Sequence, residues 1–260
     1  MPIRPNVIIA DYINDDLQCE RGILGDLADV VALDAYCEAD LAGRIEDAVG
    51  IMLYHNVAIT RSVIERLKCC KVIARCGVGF DNVDCAAAKA RGIAVTNVPD
   101  YGTEEVADSA IGMALALSRG FYRLNTIYRR EDRPTEWNHE VAAPIHRLRT
   151  RTMGIVGLGR IGTAVARRAN AIGMRVIYHD PLLPDDFSPL VDAQRVASLR
   201  ELIEQSYIVT LHCPLNDSTR NLINPETIEW FAPGSYLVNT SRGAVVDTRV
   251  NPDAIASGRL

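Results

Sequence analysis

No apolar run in this sequence reaches the roughly 18 residues that a membrane-spanning helix requires, so the chain is expected to have no membrane partner. The first residues, Met1 to Asn6, lead into only a short apolar stretch. A signal peptide would need a longer apolar core and a small-residue cleavage site. A basic excess is also missing. Lys+Arg number 28 against 33 Asp+Glu, a formal charge of −5, which argues against a nucleic-acid partner. No two of the cysteines (Cys19, Cys37, Cys69, Cys70, Cys76, Cys85 and Cys213) form a C-x-x-C pair. Zinc sites need closer, repeated spacing, and disulfides are rare in the cytosol. Idle or buried thiols, no metal and a cytoplasmic location are therefore expected. There is no periodic repeat and no low-complexity tract. What remains is the balance of an ordinary globular protein, 260 residues at 48% hydrophobic and 23% charged, enough for one or two domains at about 150 residues each.

The apolar pattern alternates between short β-branched runs and stretches of helical spacing. The runs Val7–Ala10, Val30–Leu33, Gly50–Leu53, Val72–Ala74 and Ile93–Val95 read as strands, with helical segments such as Ala39–Ala48 and Ser62–Leu67 between them. A second series follows, with strands at Met153–Val156, Arg175–Tyr178, Ile208–Leu211 and Ser235–Val238. Its helices are Ile161–Asn170, Ser198–Gln205 and Asp253–Ser257. Continuous apolar strands separated by amphipathic helices predict parallel sheets covered on both faces. A long helical stretch joins the two series, with Thr103 as the expected N-cap and Glu104 and Glu105 in the first turn, where carboxylates favour the helix dipole. Beyond Gly120, the segment Phe121–Thr150, which contains Trp137 and several arginines, reads as a helix end followed by an extended arm. The domain boundary is expected near Pro99.

The strongest local signal is Gly157-Leu158-Gly159-Arg160-Ile161-Gly162. It follows a strand and opens a helix, the context the pattern requires. The first glycine makes a tight turn, the second lets backbone approach a pyrophosphate, and the third allows close helix–strand packing. The helix start supplies amides and a positive dipole end. Asp180 closes the next strand, 23 positions after Gly157, near the expected spacing of about 20. Its carboxylate would accept from ribose hydroxyls and repel a 2′-phosphate, which favours NAD over NADP as the cofactor. The competing reading is a glycine-rich turn without ligand, with Asp180 capping a loop. Two later strand ends point at the same crevice, because ligands of open α/β sheets bind at the carboxyl ends of strands. One is His212-Cys213-Pro214-Leu215, continuing to Thr219, in which Pro214 can present an apolar wall to an adenine. The other is Asn239-Thr240-Ser241-Arg242-Gly243. There Arg242 offers a cationic fork for a carboxylate or carbonyl; spacing alone allows a solvated surface arginine equally.

These blocks resemble the D-isomer-specific 2-hydroxyacid dehydrogenases. The resemblance is carried by Arg75–Asp84, Gly92–Pro99, Gly154–Gly162, Leu211–Leu215 and Leu237–Asp247, in order and across most of the chain. Within that family Cys76–Asn82, Thr103–Ser109 and Leu222–Asn224 are most similar to the C-terminal-binding-protein branch. The resemblance implies two doubly wound parallel-sheet α/β domains, flavodoxin-like and Rossmann-like, with a cleft between them. Residues 1–98 would form the substrate domain and residues 99–260 the NAD-binding domain, dimerising through the nucleotide domain, with the 121–150 arm as candidate contact. It further implies that Val78 and Gly79 offer backbone amides to the substrate carboxylate, as an anion-binding nest does. Val78 and Val106 would lie by the nicotinamide. Arg160, Ile161, His212, Cys213, Thr219, Thr240 and Ser241 would line the cofactor. Arg242 would take the catalytic arginine role on a small 2-hydroxy or 2-keto acid.

The match breaks at the end of the sequence. The family's glutamate and its general-acid histidine lie downstream of the arginine, and the chain reaches Gly258-Arg259-Leu260 without them. Both domains are thus expected to be incomplete, the first lacking its C-terminal return segment. Hydride transfer would lack a proton donor, a contribution of about 10²–10⁴-fold. Three readings stay open: an NAD-dependent dehydrogenase, a nucleotide-sensing interaction module, and a methyltransferase using the same glycine turn for another adenosine cofactor. The last gives Pro214 and Thr240–Arg242 no role.

Overall fold

The computed structural model describes residues 4–136, 138–249 and 251–260, and divides into two compact units at Tyr101/Gly102. In the first unit the chain runs β1 (Asn6–Asp11), α1 (Gln18–Leu24), β2 (Asp29–Ala35), β3 (Ala48–Leu53), α2 (Arg61–Arg66), β4 (Val72–Arg75), α3 (Cys85–Ala90) and β5 (Ala94–Asn97). The strands pair in parallel in the order β2-β1-β3-β4-β5. That is a doubly wound sheet whose order reverses between β1 and β3. Its central strands carry apolar side chains on both faces (Ile8, Ile51 and Ile73 are buried on one, Ile9 on the other) because helices cover both sides.

The second unit opens with α4 (Thr103–Ser118) and α5 (Phe121–Tyr128). It continues through β6 (Thr152–Val156), α6 (Arg160–Ala171), β7 (Arg175–His179), β8 (Gln194–Arg195), α7 (Leu199–Gln205), β9 (Ile208–Leu211), β10 (Tyr236–Asn239) and α8 (Asn251–Ala256). The sheet order is β10-β9-β6-β7-β8, all parallel, with the switch point between β6 and β9. Alternation along β6 divides the core. Met153 and Ile155 face a layer built with α4 and α6, while Val156 faces one built with α7 residues Leu202 and Ile203 and with Phe231. The first layer is rich in small residues: Ala107, Ala110 and Ala114 of α4, and Ala164, Ala166 and Ala169 of α6. They permit close helix approach, and Arg168 of α6 locks it by pairing with Glu104 and Asp108 of α4, both at 2.7 Å.

Three local expectations are corrected, and one strand goes unannounced. The stretch Ala39–Ala48 is not a helix. It makes one 3-10 turn, Glu38–Leu41, and Ala48 already belongs to β3. Polar side chains there compete with a helix ladder: Asp40 accepts from the Tyr36 and Cys37 amides, Glu46 from that of Gly43, and Gly43 takes a left-handed φ of 75°. Thr103 is the first residue of α4 rather than its cap. Helical bonding already begins from the Gly102 carbonyl to the Val106 amide, and no side chain caps the helix. The 121–150 arm is less extended than its sequence suggests. It begins with α5, entered through Gly120 at φ 69°, and contains short 3-10 turns at His139–Ala142 and Leu148–Thr150. Trp137 lies outside the described residues. Finally, the two-residue strand β8 carries too short a pattern to register in the sequence.

Candidate functional site

At the end of β6 the chain must turn sharply to start α6. Gly157 makes the turn at φ 91°, a left-handed conformation that L side chains avoid. A Cβ there would also meet the Cys213 amide nitrogen at 2.9 Å. Gly162 sits in the first turn of α6, and a Cβ on it would stand 2.1 Å from the Gly157 carbonyl oxygen. Helix and turn are therefore in backbone contact. Gly159, the helix N-cap, differs: a Cβ there would meet nothing within 4 Å. So open space lies before the first amides of α6, and no side chain caps them. The first N–H groups of a helix have no intrahelical acceptor. This cradle suits the pyrophosphate of a dinucleotide, with Arg160 and Ile161 in the same first turn.

Asp180 follows β7 directly. One carboxylate oxygen accepts from the Leu158 amide at 2.9 Å and the other from the Leu182 amide at 3.0 Å. The acid is thereby fixed to the glycine turn itself, and it remains half-exposed.

The other two predicted blocks come together on the switch-point side, since β9 and β10 are the next strands over. His212 donates its amide to the Val156 carbonyl at 2.8 Å. Its ring lies between two threonine hydroxyls, Thr210 on Nε2 at 2.9 Å and Thr240 on Nδ1 at 3.5 Å. Cys213 is buried, and burial pushes its thiol up to about 11. It is a packed thiol, not a nucleophile. Pro214 is exposed, and Thr219 closes the following turn by donating to the Pro214 carbonyl at 2.6 Å. After β10, Thr240, Ser241 and Arg242 form a turn organised by Asn239, a residue absent from the predicted site. The Asn239 side chain accepts from the Ser241 amide at 3.0 Å and donates to the Arg242 carbonyl at 2.8 Å. An asparagine at a strand end followed by Thr-Ser is a turn signal that could have pointed to it. The half-buried Arg242 donates to the Ser241 carbonyl at 3.0 Å. Val106 lies half-buried in the first turns of α4.

Burial lowers the His212 pKa from its ordinary 6.5 to about 4. The ring is thus neutral at pH 7, one nitrogen donating and the other accepting. The unfolded chain binds the extra proton between those two values, so this residue's stabilising contribution is whole above pH 6.5 and is lost as pH falls toward 4. That amounts to about 3–4 kcal/mol at roughly 1.4 kcal/mol per unit. Comparing denaturant midpoints of wild type and His212→Gln across this range should show the variant less sensitive to acid. Parallel profiles would refute the assignment.

Val78 and Gly79 belong to the first unit, in the turn after β4. The Val78 carbonyl accepts from the Asn97 side chain at 2.7 Å, and the Gly77 carbonyl from the Val98 amide at 3.1 Å. Beside this turn the buried Arg75 donates to His55 Nδ1 at 3.1 Å. Tyr54 Oη donates to Glu20 at 3.2 Å, and burial, the largest cause, holds the phenol well above its usual range. Nothing in a strand-end Tyr-His pair announces chemistry in the sequence. Among the described residues no group of His, Cys, Asp and Glu is arranged to hold a metal, and no helix is long and apolar enough to cross a membrane.

Residues 111–260 match the profile of the D-isomer specific 2-hydroxyacid dehydrogenase NAD binding domain. The chain is 36% identical over 202 residues to D-3-phosphoglycerate dehydrogenase of Methanocaldococcus jannaschii, covering 78% of this chain and 38% of that protein. It is 34% identical over 212 residues to C-terminal-binding protein 1 of Caenorhabditis elegans, covering 80% and 29%. It therefore spans well under half the length of these two relatives. Among solved structures, D-lactate dehydrogenase from Aquifex aeolicus, complexed with NAD and lactic acid, superposes with a TM-score of 0.86 at 27% identity, over 98% of this chain and 74% of that one. The chain thus belongs to the D-isomer-specific 2-hydroxyacid dehydrogenase family, with its NAD-binding domain in residues 111–260.

Proposed function

We propose that this chain binds NAD(H) and belongs to an oxidoreductase that moves a hydride between nicotinamide and a small D-2-hydroxy or 2-keto acid of the phosphoglycerate, glyoxylate or hydroxypyruvate class. The observation that carries the reading is Asp180 hydrogen-bonded to the glycine turn at 2.9 Å, in a chain of this family. The amides at Gly159–Gly162 hold the pyrophosphate, with Arg160 beside them. The Asp180 carboxylate keeps lone pairs for ribose hydroxyls and disfavours a 2′-phosphate. His212, Cys213, Pro214 and Thr219 wall the nucleotide on the β9 side, and Thr240 and Ser241 on the β10 side. Val106 packs on the nicotinamide. When bound, the cofactor supplies or accepts the hydride. In the first unit the Val78 and Gly79 amides offer an anion nest to a carboxylate; in the second the Arg242 guanidinium orients a carboxylate and carbonyl and stabilises charge building on oxygen. Of the histidines, His212 stays neutral between its threonines, and none matches the family's acid.

Titrating the protein with NADH while following quenching of its intrinsic fluorescence should give saturable binding, tighter than for NADPH. A folded protein showing neither quenching nor heat would overturn the reading. Loss of NADH absorbance with glyoxylate, hydroxypyruvate or pyruvate then tests turnover.

The likeness to a C-terminal-binding protein supports a second reading, in which nucleotide sets an assembly state. Homodimerisation through the nucleotide unit is proposed under both. Its candidate surface is apolar and exposed along α4 and α5: Met113, Leu117, Phe121 and Tyr122. Sizing chromatography with and without NADH separates the two. A dimer driven by NADH without turnover favours the sensing role. The cysteines stand as free thiols.

A further inference from the structure

The acid that selects the cofactor stands at the head of a loop with little structure of its own. Residues 180–184 read Asp-Pro-Leu-Leu-Pro, and two prolines remove two amide donors. What gathers the loop is a single guanidinium from the edge strand. Arg195 of β8 sends Nη2 to the Asp180 carbonyl at 3.3 Å and the Leu183 carbonyl at 2.9 Å, and Nη1 to the Pro184 carbonyl at 2.7 Å. Its remaining charge faces Asp185 at 3.7 Å, and its side chain is 29% exposed. β8 is short, yet it is tied firmly where this matters. Arg195 is in register with Tyr178, and the Val196 amide donates to the Tyr178 carbonyl at 2.9 Å.

We infer that Arg195 is a positioning residue for cofactor choice: its fork across three loop carbonyls fixes Asp180 in the pose that accepts ribose hydroxyls. The inference rests on the NAD(H) reading above. Two features give it content. The guanidinium binds the backbone of Asp180 itself, while the carboxylate of the same residue is held by the Leu158 and Leu182 amides. Main chain and side chain of the selecting acid are therefore each held by partners of their own. Moreover, a cation this close to the ribose end would by itself attract a 2′-phosphate. The planar fork instead spends its donors on carbonyls. Arg195 thus acts through Asp180 and not as a phosphate ligand.

The test is a double-mutant cycle on NADH and NADPH dissociation constants, read by fluorescence, with Arg195→Gln, Asp180→Asn and the double variant. Arg195→Gln should weaken NADH about tenfold, the scale of losing hydrogen bonds to a charged donor. NADPH binding should hardly change, so discrimination falls by the same factor. In the Asp180→Asn background the Arg195→Gln effect on NADH should vanish, because two residues acting as one unit are not additive. Equal weakening of both nucleotides, an unchanged NADH constant, or an effect that persists undiminished without Asp180 would each overturn the inference while leaving nucleotide binding standing. A wild-type protein that binds no NADH would overturn both. Unliganded thermal denaturation of each variant separates local loosening from loss of the fold, since an unfolded variant loses both nucleotides.

Discussion

Asp11→Ala should cost the first unit about 3 kcal/mol, through three backbone amides that lose their buried acceptor at roughly 1 kcal/mol each. Asp11 is 1% exposed at the carboxyl end of β1. Its carboxylate accepts from the backbone of Tyr54 at 2.6 Å, Asn56 at 2.7 Å and Val57 at 2.9 Å. Asn82 serves the opposite polarity of the same loop, donating to the Tyr54 carbonyl at 3.4 Å and the Val57 carbonyl at 3.0 Å. The loop after β3 therefore draws its order from two side chains distant in sequence. Its own residues make no regular structure, and His55, the partner of Arg75, rides on it. For a unit of this size the loss corresponds to a melting shift of about 15 °C. Asp11→Asn keeps one acceptor oxygen but turns an amino group toward an amide, and should lose roughly half as much. Denaturant unfolding followed by hydrogen exchange of the β1 and β3 amides would check this. A loss below about 1 kcal/mol for Asp11→Ala would mean that water satisfies the loop amides as well as the carboxylate does.

The legible part of this molecule is what repeats with the period of a strand or follows from glycine stereochemistry. Both sheets were visible because apolar runs such as Ile8–Ala10 and Ile208–Leu211 are buried on both faces, which suppresses polar alternation. The nucleotide turn was visible because each of its glycines answers a different demand of the backbone. The illegible part lies where one side chain organises chain far from it. Asp11 ordering residues 54–57, Asn239 folding the Thr240–Arg242 turn and Arg195 gathering residues 180–184 are polar residues in short contexts. Their partners are mostly backbone atoms, which leave no mark on the sequence. The misread helix at Ala39–Ala48 has the same origin, because Asp40 and Glu46 bond locally to amides a helix would need. Choosing among the cofactors that a glycine turn can serve needed the blocks at Leu211–Leu215 and Leu237–Asp247 as well. The turn alone supports either a dinucleotide or another adenosine compound.

Substituting the turn's second and third glycines should separate folding from binding. A methyl group at Gly162 would lie 2.1 Å from the Gly157 oxygen and 3.3 Å from Ile155 Cγ2. Neither backbone atom nor core side chain can yield that much in place, so α6 must move away from β6. Gly162→Ala should then destabilise the second unit by about 1–3 kcal/mol, the usual cost of overpacking. It should also weaken NADH by roughly 100-fold, since amides displaced by about 1 Å no longer converge on the phosphates. At Gly159 the same methyl meets nothing within 4 Å. Gly159→Ala should melt with the wild type, yet lose NADH affinity to a similar degree, because the methyl stands where a pyrophosphate must come against the backbone. Calorimetric melting and NADH titration of both variants resolve the two effects. If Gly159→Ala bound NADH like the wild type, the open space before α6 would not be the phosphate site, and Asp180 would be no more than the cap of its own loop.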